Sequence, residues 1–162
     1  ELIKIRREEA MNSAKLMGAV YHESITNDLE VFYNSEQLAK VVAEIRKVKP
    51  QIVLTHGPYD YMEDHINAGR LAVSAAFCRG MGNFRGAEDI APVMTDVAVY
   101  HSLPLSLKDQ LNRPVTPDIF VDVTSTIPTT GIALPFFSYG GSSIIAIYAM
   151  LGLVSGVHAP SS

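Results

Sequence analysis

The spacing of apolar residues along the first 123 positions predicts helices that alternate with strands. Residues 2–17 repeat apolar side chains about once per helical turn, and Gly18 follows where a helix would end. A second repeat runs over residues 38–48, with Asn34 as a candidate N-cap and Pro50 as a stop. Both patterns predict amphipathic helices that cover a sheet.

Short apolar runs predict the strands. The continuous run at residues 51–55 is typical of a strand covered on both faces, and a helix from about residue 66 to Cys78 follows it. Further strands are predicted over residues 19–25, which include His22, and over residues 93–100 and 118–123. This order predicts an α/β fold with a Rossmann-like, mostly parallel sheet and helices on both faces.

The stretch after the strand 51–55 is dense in ionisable residues, which are His56, Asp60, Glu63, Asp64 and His65. Side chains at the C-terminal end of a parallel strand converge on a crevice. We therefore expect this group to lie on one surface. His101, at the end of the strand 93–100, is expected to face the same crevice.

The charge balance and the single cysteine narrow the class of protein. A net charge of −4, from 13 Lys+Arg against 17 Asp+Glu, argues against a general nucleic-acid binder. Cys78 has no partner for an internal disulfide, which favours a reducing, cytoplasmic compartment and an inert thiol. No signal peptide is evident at residues 1–9, and the sequence leaves the oligomeric state open.

The order VLTHGPYDYMEDH resembles the second signature of the LmbE/PIG-L family of metal-dependent N-deacetylases. The likeness covers about residues 2–123, which we interpret as one deacetylase domain. It implies that His65 is a zinc ligand and that Asp64 orients it from the second shell. Residues 6–10 fit the family's R-x-x-E-A opening, so Arg6 is a candidate substrate-binding residue. The alternative is a solvated Arg6 that pairs along its own helix.

The remaining candidate roles follow from position in the same loop. Asp64, Asp60 and His56 are candidate catalytic residues, and His101 is a candidate substrate-binding residue. The expected substrate is a small N-acetylated amino sugar or glycoconjugate. Zinc would activate a water molecule and polarise the amide carbonyl, while a carboxylate serves as the base.

Part of the family's machinery is missing from this sequence. The resemblance assigns two metal ligands and the base to an A-H-P-D-D motif, and no such run occurs here. Met62 stands where many members carry a histidine that assists the oxyanion, and methionine cannot donate a hydrogen bond. We therefore expect an N-terminally truncated domain and an incomplete zinc site. This chain alone should be a very poor deacetylase.

The tail, residues 124–162, has a different character, because every Lys, Arg, Asp and Glu lies at or before Asp122. Its string GIALPFFSYGGSS resembles the terminal signature of the SEDS (FtsW/RodA-like) cell-wall glycosyltransferases. The resemblance implies a possible membrane contact through residues 131–157, although this apolar run is short for a span. We expect the tail not to belong to the hydrolase core. A fusion or chimera joined at residues 123/124 is one reading, and a loop with a buried helix is another.

Three functions stay open at this point. The first is the metal-dependent deacetylase, and the second is a membrane or cell-wall protein identified by its SEDS-like tail. The third is a non-catalytic α/β binding module that keeps the loop without the metal.

Overall fold

The computed structural model describes residues 2–122, and it contains three helices and two strands within that range. In chain order these elements are α1 (Leu2–Leu16), α2 (Ser35–Val48), β1 (Ile52–His56), α3 (Glu63–Cys78) and β2 (Ala98–Ser102). The predicted helices over residues 2–17 and 38–48 are therefore confirmed. Residues 123–162, which hold the SEDS-like tail, lie outside the described residues.

The sheet of the described region is a parallel pair. β1 and β2 run in register from Ile52 opposite Ala98 to His56 opposite Ser102, so both strands end at the same edge. Helices α2 and α3 pack together and α3 packs on β1, enclosing a core of Val31, Val41, Val42, Ile45, Val53, Leu71, Ala72 and Ala75. The α/β character and the parallel pairing are confirmed. A larger Rossmann-like sheet with helices on both faces remains a prediction.

Helix α2 begins and ends as its sequence indicates. The Asn34 side chain accepts a hydrogen bond from the Gln37 N–H at 2.9 Å, which satisfies one of the unpaired donors of the first turn. The Gln37 side chain does not complete a capping box, because it bonds to Phe32 and Glu30 of the preceding segment. Lys49 closes the helix in the left-handed conformation, at φ 51°, just before Pro50.

Three predicted strands are wrong in whole or in part. Residues 19–25 pair with no strand, and their link to α2 runs through side chains, with His22 Nδ1 2.8 Å from Glu44 Oε2. The strand predicted over residues 93–100 starts later than expected. The N–H of Val93 donates to the carbonyl oxygen of Arg79 at the end of α3, and β2 begins only at Ala98. His101 consequently lies inside the strand. Residues 118–122 form no strand.

Helix α3 begins earlier than its apolar spacing suggests. Its first residue is Glu63, three positions before the predicted start, and the N-cap Met62 provides no side-chain hydrogen bond. Asp64 and His65 therefore lie in the first turn of a helix and not in the preceding loop. The predicted end at Cys78 is confirmed, although Arg79 and not Gly80 occupies the cap position. Cys78 itself is a free thiol of intermediate burial.

No helix within residues 2–122 is long and apolar enough to cross a membrane.

Arg46 fastens the loop after α3 onto helix α2. Its side chain is 3% exposed, and its guanidinium donates only to backbone carbonyls. The accepting carbonyls belong to Cys78, Arg79, Met81, Phe84 and Ile90, at 2.8–3.4 Å. A planar guanidinium carries five donors in a fixed fork, so one side chain can serve acceptors spread over this whole loop.

Helix α3 lies unusually close to the end of β1. A Cβ atom added at Gly69 would stand 2.5 Å from the carbonyl oxygen of His56, a separation that side chains do not reach in real structures. Glycine at this helical position therefore sets how near α3 approaches the strand.

We predict that Arg46→Met lowers the free energy of unfolding by roughly 2–4 kcal/mol, because several carbonyls lose their donor while the apolar stem is kept. Urea unfolding followed by circular dichroism measures this. Arg46→Lys should recover only part of the loss, since an ammonium presents three donors from one nitrogen. Arg85→Met, in the same loop but exposed, is the matched control and should change little. Equal, small effects for Arg46 and Arg85 would contradict the role assigned to Arg46.

We predict that Gly69→Ala destabilises the fold by roughly 1–2 kcal/mol. The new methyl group forces α3 away from His56, and this overpacking exceeds the roughly 1 kcal/mol that alanine contributes to a helix. The same unfolding experiment applies. Gly82→Ala is the control, because an added Cβ there meets nothing within 4 Å. A stabilised Gly69→Ala variant would show that the helix is not held against the strand.

Candidate metal centre

The candidate site lies where β1 passes into α3. β1 ends at His56, the loop carries Asp60, and His65 follows in the first turn of α3. The close approach of the helix to the His56 backbone folds this ten-residue stretch back on itself. As a result the imidazole rings of His56 and His65 stack, with centroids 3.9 Å apart and planes 1° from parallel. The prediction that His65 lies at the C-terminal end of β1 is confirmed.

Asp60 places its carboxylate beside both rings. Oδ1 lies 3.0 Å from His65 Nδ1, and Oδ2 lies 3.9 Å from His56 Nδ1. The carboxylate also accepts the backbone N–H of Met62 at 3.0 Å, which holds the loop just before α3. His56 and Asp60 are 5% and 3% exposed, so the carboxylate meets the imidazoles largely away from water.

Two buried polar atoms at the end of β1 have no hydrogen-bond partner among the described residues. His56 Nε2 is buried and makes no hydrogen bond with the described residues, and the same holds for Thr55 Oγ1. Buried polar atoms are normally satisfied, so this arrangement needs an explanation.

Burial and proximity set the protonation states. Burial is the main cause that lowers the pKa of His56 to about 4, with a further lowering by His65 that outweighs the attraction of Asp60. Burial alone would raise the pKa of Asp60, but His65, the Met62 N–H and His56 together hold that pKa below its ordinary value. Near neutral pH His56 is therefore a neutral imidazole and Asp60 a carboxylate, the forms in which both bind metal ions.

The three side chains fit a metal ion of the kind that the resemblance implies. His56, Asp60 and His65 each offer one donor atom, and these atoms all lie within 4.8 Å of one another. Two imidazole nitrogens and one carboxylate oxygen are ligands that zinc and related metals accept. The unsatisfied His56 nitrogen supports the same interpretation.

Asp64 does not occupy the position expected of it. Its carboxylate accepts the backbone N–H of Leu29 at 2.6 Å, and Leu29 sits in the left-handed region at φ 61°. Asp64 is buried and ties the segment before α2 to the start of α3. The carboxylate of Asp60 lies 3.0 Å from His65 Nδ1, whereas that of Asp64 bonds to Leu29.

The two candidate substrate-binding residues have different surroundings. His101 donates from Nδ1 to the carbonyl oxygen of His56 at 2.8 Å, so its ring is anchored beside the site while the residue remains exposed. Arg6 pairs with Glu9 at 2.9 Å on the exposed face of α1. This pairing is the alternative considered for Arg6 from the sequence.

Two residues of the site have no clear signal in the sequence. Gly69 controls the approach of α3, and the only hint is a glycine inside a helical pattern. Tyr61 meets His65 edge-on, with ring centroids 6.1 Å apart and planes at 67°. An aromatic residue in a loop gives no indication of which ring it will contact.

Two family models match separate parts of the chain. Residues 1–76 match the model of the GlcNAc-PI de-N-acetylase family, PIG-L. Residues 118–162 match the model of the FtsW/RodA/SpoVE cell cycle proteins. The first match contains His56, Asp60 and His65.

Three curated relatives match different shares of the chain. Diacetylchitobiose deacetylase of Thermococcus kodakarensis is 36% identical over 95 residues, covering 56% of this chain and 36% of its own length. 4-oxalmesaconate hydratase of Pseudomonas putida is 27% identical over 157 residues, or 95% of this chain and 57% of the relative. A probable peptidoglycan glycosyltransferase FtsW of Borreliella burgdorferi is 43% identical over 61 residues, or 38% of this chain and 15% of the relative.

The chain thus spans little more than half the length of these relatives at most. No solved structure matches it significantly. The two resemblances recognised in the sequence are both confirmed: the N-terminal end of the chain matches the PIG-L family model and the C-terminal end matches the FtsW/RodA/SpoVE model.

Proposed function

We propose that the PIG-L region contributes to a metal-dependent hydrolase that removes an acetyl group from an N-acetylated amino sugar or a related amide. The observation that carries this proposal is the buried contact of His65 with Asp60 at the end of a parallel strand, inside the matched region. A relative that acts on diacetylchitobiose, by its name, supports an amino-sugar substrate.

Each residue of the site has its own role in this proposal. A bound zinc ion would supply a polarised water molecule and a Lewis acid for the amide carbonyl. His65 holds the metal, and Asp60, ionised and buried beside it, attracts a cation or accepts a proton. His56 is neutral, and its ring packs against that of His65 on the strand side of the site. His101, anchored to the His56 carbonyl, lies where it can bind a substrate hydroxyl.

A second candidate is the addition of water to a carbon–carbon double bond. The named hydratase matches 95% of the chain, a larger share than the deacetylase does. Both reactions use water as a reactant, so the same metal-binding loop suits either. The higher identity to the deacetylase and the PIG-L match favour amide hydrolysis.

We also propose that the chain divides near residues 123/124, with a tail that contacts a membrane through residues 131–157. The FtsW match and the absence of charged residues beyond Asp122 support this division. In detergent phase separation, we expect the full chain to enter the detergent-rich phase. A variant ending at residue 123 should remain in the aqueous phase. Identical partitioning of both proteins would contradict the membrane contact.

We predict weak, metal-dependent binding of N,N′-diacetylchitobiose with very slow release of acetate. Saturation-transfer NMR with zinc, and again with chelator, measures the binding. Acetate release should lie at least about 10²-fold below that of the Thermococcus deacetylase assayed beside it, because the motif that provides the family's base is not in this sequence. His65→Ala should abolish both signals, while His22→Ala, which removes a histidine elsewhere, should leave them unchanged.

Saccharide binding that survives in His65→Ala would contradict the assigned site. Hydration of 4-oxalmesaconate without acetate release would replace deacetylation by the second candidate. Fast turnover abolished by His65→Ala would show that the chain already holds the groups that the resemblance places in the missing motif.

A further inference from the structure

We infer that His56, Asp60 and His65 together form a three-ligand site for a divalent transition metal that needs no residue of an A-H-P-D-D motif. The resemblance takes only His65 from this loop as a ligand and places two others elsewhere. The structure instead brings two more donors to His65, from the end of β1 and from the loop before α3. This assignment deepens the proposed function by giving His56 and Asp60 a coordinating role.

The separations between the carboxylate and the two rings are near those of a bound ligand set. Bonds of about 2.0–2.2 Å in a tetrahedral site separate neighbouring donor atoms by about 3.4 Å. Asp60 lies 3.0 Å from His65 Nδ1 and 3.9 Å from His56 Nδ1, on either side of that value. Metal binding would therefore require shifts of well under 1 Å between the carboxylate and each ring.

The stacked rings define the one rearrangement needed. Imidazole binds a metal in its own plane, and two parallel rings direct their nitrogen lone pairs along parallel lines. One ring must tilt before both nitrogens point at a single ion. His65 is the ring that can move, because its side chain is 12% exposed whereas that of His56 is 7% exposed.

The charge of the site also favours a bound cation. Asp60 is 3% exposed, and its close side-chain contacts are the two histidines, not a lysine or arginine. Buried carboxylates are normally paired with a cation or bound to a metal. The buried His56 Nε2 in addition has no hydrogen-bond partner among the described residues.

The donor set selects the class of metal. Two imidazoles and one carboxylate suit zinc, iron, cobalt or nickel, whereas magnesium and calcium prefer oxygen ligands throughout. Three protein ligands also leave a coordination position for water, as in catalytic zinc sites. The site would therefore hold a reactive ion and not a purely structural one.

The test is a titration of the metal-free full chain with Co²⁺, whose visible absorption reports coordination by nitrogen and oxygen. We expect one equivalent to bind and to be displaced by Zn²⁺. His56→Ala, Asp60→Asn and His65→Ala should each weaken binding by more than about 10²-fold, beyond the roughly 10–100-fold loss that follows removal of a residue that only orients a ligand. His22→Ala, which removes a histidine far from this loop, should bind as the unchanged protein does. Circular dichroism of each metal-free variant checks its fold.

X-ray absorption on the zinc-loaded, unsubstituted chain gives an independent measurement, with two imidazoles and one carboxylate expected. A single imidazole, or a loss of binding in His65→Ala alone, would overturn the inference and restore the ligand set implied by the resemblance. Binding unaffected by all three substitutions would overturn it as well. Since no substrate is used, metal binding without deacetylation would leave this inference standing and contradict only the proposed function.

Discussion

The carbonyl oxygen of His56 is the point on which the geometry of the site depends. Helix α3 approaches it so closely that only glycine fits at position 69, and the His101 ring donates to it from the neighbouring strand. One backbone group is thus held from the helix side and from the sheet side. These contacts restrict the His56 backbone and so orient its side chain, on which His65 stacks at the start of α3.

The buried side chain of Arg46 stabilises the opposite end of the same helix. Arg46 collects the carbonyls that follow Cys78, so the loop after α3 stays packed on α2. Its partners are neutral carbonyls, and the buried guanidinium is satisfied by the number of its hydrogen bonds and not by an opposite charge. The site end of α3 is different, because there the hydrogen bonds are incomplete and two histidines crowd a carboxylate. Polar groups stabilise the fold at one end of α3 and form the proposed metal site at the other.

Much of this arrangement could be predicted from sequence, for identifiable reasons. The strand at β1 and helix α2 follow from apolar spacing and from the Asn34 cap, which act locally. The start of α3 was predicted too late because its N-cap, Met62, makes no side-chain hydrogen bond. A sequence indicates a helix start clearly where a capping side chain is present. The segment 19–25 has strand-like composition but is held by His22 and Glu44, a contact between distant positions.

The candidate site shows the same division between local and distant causes. Its place after a buried strand was predictable, since that is where α/β proteins gather polar side chains. It was not predictable that Asp60, and not Asp64, would lie against His65. Asp64 is adjacent to His65 in sequence, yet the helix turn directs it to Leu29, while Asp60 reaches His65 from the loop. Neighbours in sequence diverge around a helix, so the partner of His65 could be identified only from the fold.

The charge composition of the C-terminal part helps to weigh its likeness to the hydratase against its likeness to FtsW. The hydratase alignment runs across residue 123 at 27% identity, whereas the FtsW relative is 43% identical over its shorter stretch. An ordinary soluble domain is about one-quarter charged, so about ten charged residues would be expected in forty. Residues 123–162 have none, although the preceding part of the chain holds all 13 basic and 17 acidic residues. This boundary in charge supports the proposed division of the chain near residues 123/124 over a single continuous hydratase-like domain.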